Sequence, residues 1–171
     1  MNQTPRTNIA IISNEPTPYR LAVLNRIADE LTEATTYNIF THTVSKPHMP
    51  WAVAPHPKIK PVFFDRHALG ASNPLRCVGL YRDMRRFIVD KQIKLVVLLG
   101  YNDLARLLLI GWAKRAGIPL LVTGDSNIFG EGRVGAIKKF VKRRVVRHVL
   151  RRAAGLMPMG TCGRAFYRSY M

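Results

Sequence analysis

Three short polar segments, each placed directly after an apolar run, carry the residue types that could do chemistry in this sequence. They read SNEPTPYR at 13–20, GYND at 100–103 and GDSN at 124–127. A guanidinium group can bind anions, and a carboxylate within hydrogen-bond reach can act as a base. The candidate residues in these segments are Glu15, Tyr19, Arg20, Tyr101, Asn102, Asp125, Ser126 and Asn127.

A glycine-rich stretch follows the third segment. Residues 130–135, GEGRVG, fit the G-x-G-x-x-G spacing of a dinucleotide-binding loop. That fingerprint needs its glycines at the turn from strand to helix and an acidic residue about 20 positions later. Here six residues separate Thr123 from Gly130, and no Asp or Glu follows Glu131. The stretch is therefore predicted to be a flexible connection that does not bind a nucleotide.

The polar segments lie within an alternation of predicted strands and helices. Strands are predicted at 8–13, 37–41, 62–64, 95–99, 119–123 and 155–159, and helices at 18–31, 77–91, 104–116, 134–152 and 161–171. This order predicts an α/β fold with a Rossmann-like, doubly wound parallel sheet, in a single domain over 1–171. Ligands of such sheets bind at the carboxyl ends of strands, where the polar segments fall. Loops are polar in any protein, so a functional and an ordinary interpretation both stay open.

Smaller features refine this outline. Asn102 and Asp103 are predicted to cap the helix that follows them, and Gly117 is predicted to end it. Five prolines predict an irregular loop over 45–61. The run 95–99 is apolar throughout, as is typical of a central parallel strand. The first helix is predicted to bury one face made of Leu21, Leu24, Ala28 and Leu31.

Composition limits the class of protein. The chain has 171 residues, 47% of them hydrophobic, which is enough for one substantial core. Its 27 Lys and Arg against 10 Asp and Glu give a formal charge of +17, so phosphates, nucleic acid or an acidic membrane face should attract it. The apolar runs are too short for a signal peptide or for the ~20 residues of a membrane span. We expect no export, and any membrane contact to be peripheral.

Metal and disulfide chemistry are not indicated by the sequence. Cys77 and Cys162 lie far apart, without the paired Cys or His spacing of a zinc site or a disulfide framework. The five histidines form no metal-ligand pattern. We therefore expect the protein to bind no metal and no cofactor tightly. The cysteine usage is also consistent with a reducing cytoplasm.

The predicted helix over 134–152 is strongly basic. One face carries Val134, Ile137, Val141, Val145 and Val149, and the opposite face carries Lys139, Arg143, Arg147 and Arg151. The basic face can be an ordinary solvated surface, or it can bind anionic lipid headgroups at ~1 kcal/mol per residue. Binding of nucleic acid would also explain the positive charge. However, aromatic residues are not interleaved with the basic residues of this face, and the sequence has no helix-turn-helix, KH or RRM signature. We favour the membrane over nucleic acid.

The chain resembles the amino-terminal domain of GT-B glycosyltransferases of the family 4 type. The resemblance is carried by IAIISNEPTPYRLAVLNRIADEL, KLVVLLGYNDLARLLLIGWAKRAGIPLLVTGDSN, the basic helix and LRRAAGLMPMGTCGRAFYRSYM, in that order. It covers nearly the whole chain and is least informative over 45–72. In that family one Rossmann-like half meets the acceptor, a second half binds the nucleotide sugar, and transfer occurs in the cleft. The resemblance therefore implies the N-terminal half of a GT-B fold.

Two departures from the family matter. The family's donor-binding carboxyl domain has paired glutamates in an E-x7-E pattern, and no glutamate here has another eight positions later. We expect that domain to be absent and to be supplied by a further domain or partner chain, so that the chain alone is inactive. Many members have a histidine just past the strand that corresponds to 119–123, whereas this chain has Gly124 and Asp125.

The resemblance also implies roles for the candidate residues. Asp125 would orient or deprotonate an acceptor hydroxyl, although it could equally satisfy backbone amides in an Asx turn or a cap. Arg20 would meet a donor phosphate or an anionic acceptor, although a first-turn arginine can also be simply solvated. Glu15 and Tyr19 would join Arg20 at the cleft floor. Weaker candidates for contact with the acceptor are Tyr101, Asn102, Ser126 and Asn127. For Asn102, capping of the following helix is the favoured role.

These inferences lead to one functional hypothesis and one alternative. The hypothesis is the acceptor half of a hexosyltransferase-type enzyme that uses a nucleotide-sugar donor and a glycan or lipid-linked acceptor, in the synthesis of a cell-surface glycan or glycolipid. It would be cytoplasmic and peripheral to the inner face of the cell membrane. The alternative is a basic α/β module that binds nucleic acid or membrane without catalysis.

Overall fold

The computed structural model describes residues 6–41, 60–64, 74–101, 103–124 and 135–171. The strands are β1 (Thr7–Ser13), β2 (Ala34–Phe40), β3 (Lys60–Phe63), β4 (Leu95–Leu99), β5 (Leu120–Gly124) and β6 (Gly155–Pro158). The helices are α1 (Pro18–Glu30), α2 (Pro74–Asp90), α3 (Leu104–Arg115), α4 (Ala136–Arg152) and α5 (Gly160–Arg168). The predicted alternation of strands and helices is confirmed, with ends that shift by a few residues.

The six strands form one parallel sheet in the order β3-β2-β1-β4-β5-β6. The chain moves outward from β1 to β3, and α2 then leads back to β4 on the other side of β1. This is the strand order of a Rossmann-like, doubly wound sheet, so the predicted fold class is confirmed. The order reverses between β1 and β4, and the carboxyl ends of these strands are where such sheets bind ligands.

The strands supply a separate core to each face of the sheet. Ala10 and Ile12 of β1 lie in the larger core with residues of α2 and α3. Ile9 and Ile11 lie in a smaller core with Leu24 of α1. Successive side chains of a strand point to opposite faces, so β1 has to be apolar on both of them. This two-sided burial holds the ends of the central strands in place.

The helices that follow β1 and β4 begin differently. Asp103 caps α3, and its Oδ1 accepts a hydrogen bond from the backbone N–H of Arg106 at 2.8 Å. This confirms the cap predicted for Asp103, whereas Asn102 lies outside the described residues. At α1, the N-cap residue Thr17 makes no side-chain cap bond, and Pro18 occupies the first turn. The first turn of α1 therefore lacks a side-chain acceptor at the exit of β1.

Two sequence predictions are wrong in detail. The irregular loop predicted over 45–61 extends too far, because β3 begins at Lys60 and includes Pro61. An edge strand tolerates proline because one side of its backbone needs no partner strand; residues 45–59 lie outside the described ranges. Leu31 was predicted to be buried but is 42% exposed, because it is the C-cap of α1 and has left the helical conformation.

Candidate functional site

The exits of β1, β4 and β5 lie side by side at one edge of the sheet, because these strands are parallel neighbours. Tyr19 and Arg20 line a cavity there together with Gly100 and Gly124. The predicted residues Glu15 and Tyr101 follow β1 and β4, but they are not among the residues that line this cavity. Four predicted site residues lie outside the described part of the chain: Asn102, Asp125, Ser126 and Asn127.

Arg20 lies in the first turn of α1 and is half-buried. Its guanidinium carbon is 5.8 Å from the centroid of the Tyr19 ring, which is within cation–π distance. Its Nη1 is buried and has no hydrogen-bond partner among the described residues. A buried donor without an acceptor costs about 1–3 kcal/mol, so an oxyanion bound at this nitrogen would remove that cost.

Two hydroxyl groups of the same segment are also without partners in the described structure, Ser13 Oγ and Thr17 Oγ1. Ser13 is almost completely buried and, by the alternation of β1, points to the face that α1 covers. The first N–H groups of a helix have no acceptor within the helix, and the helix dipole adds partial positive charge there. Each of these groups is of a kind that binds anions, and of Ser13, Thr17 and Arg20 it is Arg20 that lines the cavity.

Arg106 on α3 is a residue of this edge that sequence reasoning missed. It is 1% exposed, and its Nη1 is paired with Asp103 Oδ2. Its Nη2 donates hydrogen bonds to Asn14 Oδ1 at 2.6 Å and to Thr41 Oγ1 at 3.0 Å. Arg106 therefore links the start of α3 to the exits of β1 and β2. One signal was available, since Arg106 interrupts an apolar stretch and lies three positions after a capping aspartate.

The charges at this edge are unbalanced in favour of cations. Burial lowers the pKa of Arg106 from its ordinary value, Asp103 opposes that shift, and the nearby positive charge of Arg20 adds to it. Arg20 itself has no ion pair among the described residues. Two guanidinium groups thus lie near each other, and among the described residues the carboxylate of Asp103 pairs with Arg106 alone, which favours binding of a further anion near Arg20.

Tyr101, which follows β4, is joined to the site by a residue that the sequence did not reveal. Tyr167 of α5 is buried, and its hydroxyl lies 3.5 Å from that of Tyr101. A methyl group placed on Gly124 would lie 2.7 Å from Tyr167 Oη, so a larger residue at the end of β5 would force the buried Tyr167 side chain to move. Gly100 also has a special role, because its φ of 102° gives β4 a left-handed exit.

The basic helix α4 differs from its prediction. Its second half is held by Val146 and Val149, which are fully buried. Ile137 and Val141 lie on the predicted apolar face but are exposed, as is Phe140. The predicted apolar face is therefore covered only in the second half of the helix, since Ile137 and Val141 of the first half are exposed and Val134 lies outside the described residues. Of the predicted basic residues, Lys139, Arg143 and Arg151 are exposed and Arg147 is half-buried.

The chain was compared with protein-family models, curated proteins and solved structures. No family model and no curated protein matches the chain. A crystal structure of MurG from Acinetobacter baumannii matches 89% of the chain with a TM-score of 0.53 and 12% sequence identity. The chain has a GT-B-like fold. MurG is a glycosyltransferase with that fold, and the match covers 41% of the MurG chain. At this identity the likeness shows the fold alone.

Proposed function

We propose that the chain is the acceptor-side half of a glycosyltransferase, the amino-terminal half of a GT-B enzyme of the family 4 type. The GT-B-like fold supports this proposal, because sites in such sheets lie at the strand exits. The observation that carries it is Arg20, which lines the cavity at the point where the strand order reverses and whose Nη1 has no hydrogen-bond partner among the described residues. A nucleotide-sugar donor contains a diphosphate, which is the kind of anion that this nitrogen can bind.

Each described residue then has a separate task. Arg20 pairs with an oxygen of the donor diphosphate or of an anionic acceptor, and the first turn of α1 adds N–H donors. Arg106 is a positioning residue, since its hydrogen bonds hold Asn14 beside the anion. Asp125 receives the proton of the acceptor hydroxyl in this proposal. A second domain or a partner chain holds the nucleotide sugar against this edge of the sheet.

The proposal is tested with the protein expressed from the longest reading frame that contains this chain, together with any donor-binding half encoded beside it. Purified protein is incubated with a panel of nucleotide sugars and a membrane extract, and mass spectrometry detects acceptors that gain one hexose. Arg20→Gln should lower kcat/KM about 10- to 100-fold, because it removes a charge-assisted hydrogen bond. Arg26→Gln, a change on the solvent side of α1, should leave kcat/KM unchanged. Absence of transfer from every nucleotide sugar by folded protein would reject the proposal.

We also propose that the enzyme attaches peripherally to the inner face of the cell membrane through the first half of α4. Among the described residues, no helix is both long and apolar enough to cross a membrane. The exposed side chains of Ile137, Phe140 and Val141 can enter the headgroup boundary while Lys139 and Arg143 meet anionic lipid. These apolar side chains favour lipid over nucleic acid, whose phosphates would need the cations alone.

A further inference from the structure

The cavity that Tyr19 and Arg20 line at the strand exits continues as a long groove over the face of the sheet that α1 partly covers. It has a volume of about 790 Å³ and runs over β1, β4 and β5, between α1 on one side and the region of β6 on the other. The opposite face of the sheet is packed against α2, α3 and part of α4. Among the described elements, α1 alone packs against the grooved face. Parallel sheets are normally covered on both faces, so this open apolar surface suits a bound molecule.

The walls of the groove are apolar along nearly their whole length. The wall on the side of α1 includes Tyr19, Val23, Ile27 and the C-cap residue Leu31, at one residue per turn. The floor includes Leu95, Val97, Leu99 and Leu121, and the far wall includes Met157 and Met159. From Arg20 to Leu31 the groove follows α1 for about 16 Å, at 1.5 Å per residue. An apolar groove of this length accommodates an extended hydrocarbon chain.

The two ends of the groove differ chemically. At the carboxyl ends of the strands it is lined by Asn14, Arg20 and Thr123, and here Nη1 of Arg20 lacks a hydrogen-bond partner in the described structure. At the other end it is lined by Ile9, Leu95 and Glu30, and the Glu30 carboxylate is paired with Arg26. A docked peptide helix would cover the apolar floor and would still leave Arg20 unsatisfied unless it carried an acid there. An anionic amphiphile satisfies both ends at once, with the head at Arg20 and the chain along the sheet.

We propose that this groove binds an anionic amphiphile, with its hydrocarbon chain between α1 and β6 and its phosphate or carboxylate at Arg20. The volume lies within the range of about 300–1,000 Å³ that is usual for small-molecule sites. If the bound amphiphile is the acceptor of the reaction, the inference rests on the proposed function, and of the two anions proposed for Arg20 it selects the anionic acceptor, with the donor diphosphate held by the other half of the enzyme. The binding itself requires no glycosyl transfer and is measured separately.

The test uses the chain with three probes of equal chain length below their micelle concentrations: dodecyl phosphate, dodecanoate and the neutral dodecyl maltoside. Isothermal titration calorimetry measures their dissociation constants. We expect the two anionic probes to bind at least tenfold more tightly than the maltoside, and the comparison between phosphate and carboxylate identifies the preferred head. Arg20→Gln should raise the dissociation constant of the preferred anionic probe about tenfold and change that of the maltoside less than twofold.

Two matched variants distinguish binding of the hydrocarbon in the groove from nonspecific apolar contact elsewhere on the protein. Val23 in the groove wall and Val89 on α2 are both 57% exposed, so Val23→Asp and Val89→Asp impose similar changes on the folded protein. Val23→Asp should lower the affinity for all three probes about tenfold, and Val89→Asp should leave the affinity for each of them unchanged. Equal effects of the two variants, an Arg20→Gln protein with unchanged anion preference, or no binding of any probe would overturn the proposal. A dimer in sedimentation that Val23→Asp dissociates would overturn it too, because a second copy would then cover the groove.

The outcomes also separate this inference from the proposed function. Probe binding as expected, in an enzyme that transfers no sugar, would leave the amphiphile site standing and reject the glycosyltransferase. Transfer to soluble acceptors without any probe binding would retain the glycosyltransferase and reject the amphiphile site.

Discussion

Nη2 of Arg106 donates a hydrogen bond of 2.6 Å to Oδ1 of Asn14, a residue 92 positions earlier in the chain. The same nitrogen donates to Thr41 Oγ1 at 3.0 Å, so one buried cation joins the exits of two neighbouring strands to the start of α3. The candidate anion site at Arg20 therefore lies beside a residue that belongs to the protein core. Stability and binding at this edge are expected to be linked through Arg106.

Replacement of Arg106 should be strongly destabilising. Arg106→Met removes the partner of a buried carboxylate on Asp103, and such losses cost about 3–5 kcal/mol in the free energy of unfolding. Arg106→Lys keeps the charge but lacks the planar fork that reaches three acceptors, so it should recover only part of that loss. Urea denaturation followed by circular dichroism measures the difference. Arg26→Met, which breaks an exposed ion pair on α1, serves as the control and should have little effect. Equal effects of Arg106→Met and Arg26→Met would contradict the structural role.

The close approach of Gly124 and Tyr167 predicts a coupled pair of substitutions. Gly124→Ala places a methyl group 2.7 Å from Tyr167 Oη and should lower the free energy of unfolding by about 1–3 kcal/mol. Tyr167→Phe removes that oxygen, so the double variant should be more stable than Gly124→Ala alone. A double-mutant cycle measures the coupling. Gly135→Ala is the control, because a methyl group there would meet nothing within 4 Å. Simple additivity of the two substitutions would mean that the two residues do not collide.

The candidate anion site at the start of α1 predicts salt-sensitive binding of inorganic pyrophosphate. Arg20→Gln should weaken the affinity about tenfold, because a charge-assisted hydrogen bond is lost. Thr17→Val removes an unpartnered hydroxyl of the same segment and should have a smaller effect of the same sign. Titration calorimetry at two salt concentrations checks both expectations, with Arg26→Gln as the charge-matched control. An Arg26→Gln protein that is weakened as much as Arg20→Gln would indicate a general effect of net charge.

The exposed half of α4 predicts a specific dependence of membrane binding on apolar side chains. Ile137 is 82% exposed and Leu75 on α2 is 81% exposed, so they form a matched pair. Ile137→Asp should abolish most flotation with vesicles that contain anionic lipid, whereas Leu75→Asp should not. Flotation should also fall as salt rises and be weak with neutral vesicles.

A parallel shift assay with DNA and RNA gives the competing outcome for the basic surface. Tight, salt-dependent binding of nucleic acid without flotation would reject the membrane proposal and favour the noncatalytic binding module.

Much of the fold could be predicted from the sequence. The apolar run 95–99, the prolines after 13 and the glycine at 117 mark boundaries that depend on local backbone chemistry, and the corresponding elements form as expected. Errors occurred where a neighbouring element determined the outcome. Pro61 is tolerated because β3 is an edge strand of the described sheet, and Ile137 is exposed because the hydrophobic cores of the described residues do not extend to the first half of α4. Neither fact can be inferred from helical or strand periodicity.

The candidate site shows the same division. The strand exits were predicted, and Tyr19 and Arg20 share the cavity there; the catalytic role of Asp125 stays a prediction, since that residue lies outside the described ranges. By itself, the sequence determined the alternation of elements, the parallel sheet and the excess of cations, because these depend on local propensity, apolar patterning and composition. Only the tertiary structure decided that Arg106 is buried, that Tyr167 approaches Gly124 and that a groove stays open beside α1. Burial and long-range hydrogen bonds depend on which surfaces the packed elements bring together, and residues 92 positions apart carry no local signal of their contact.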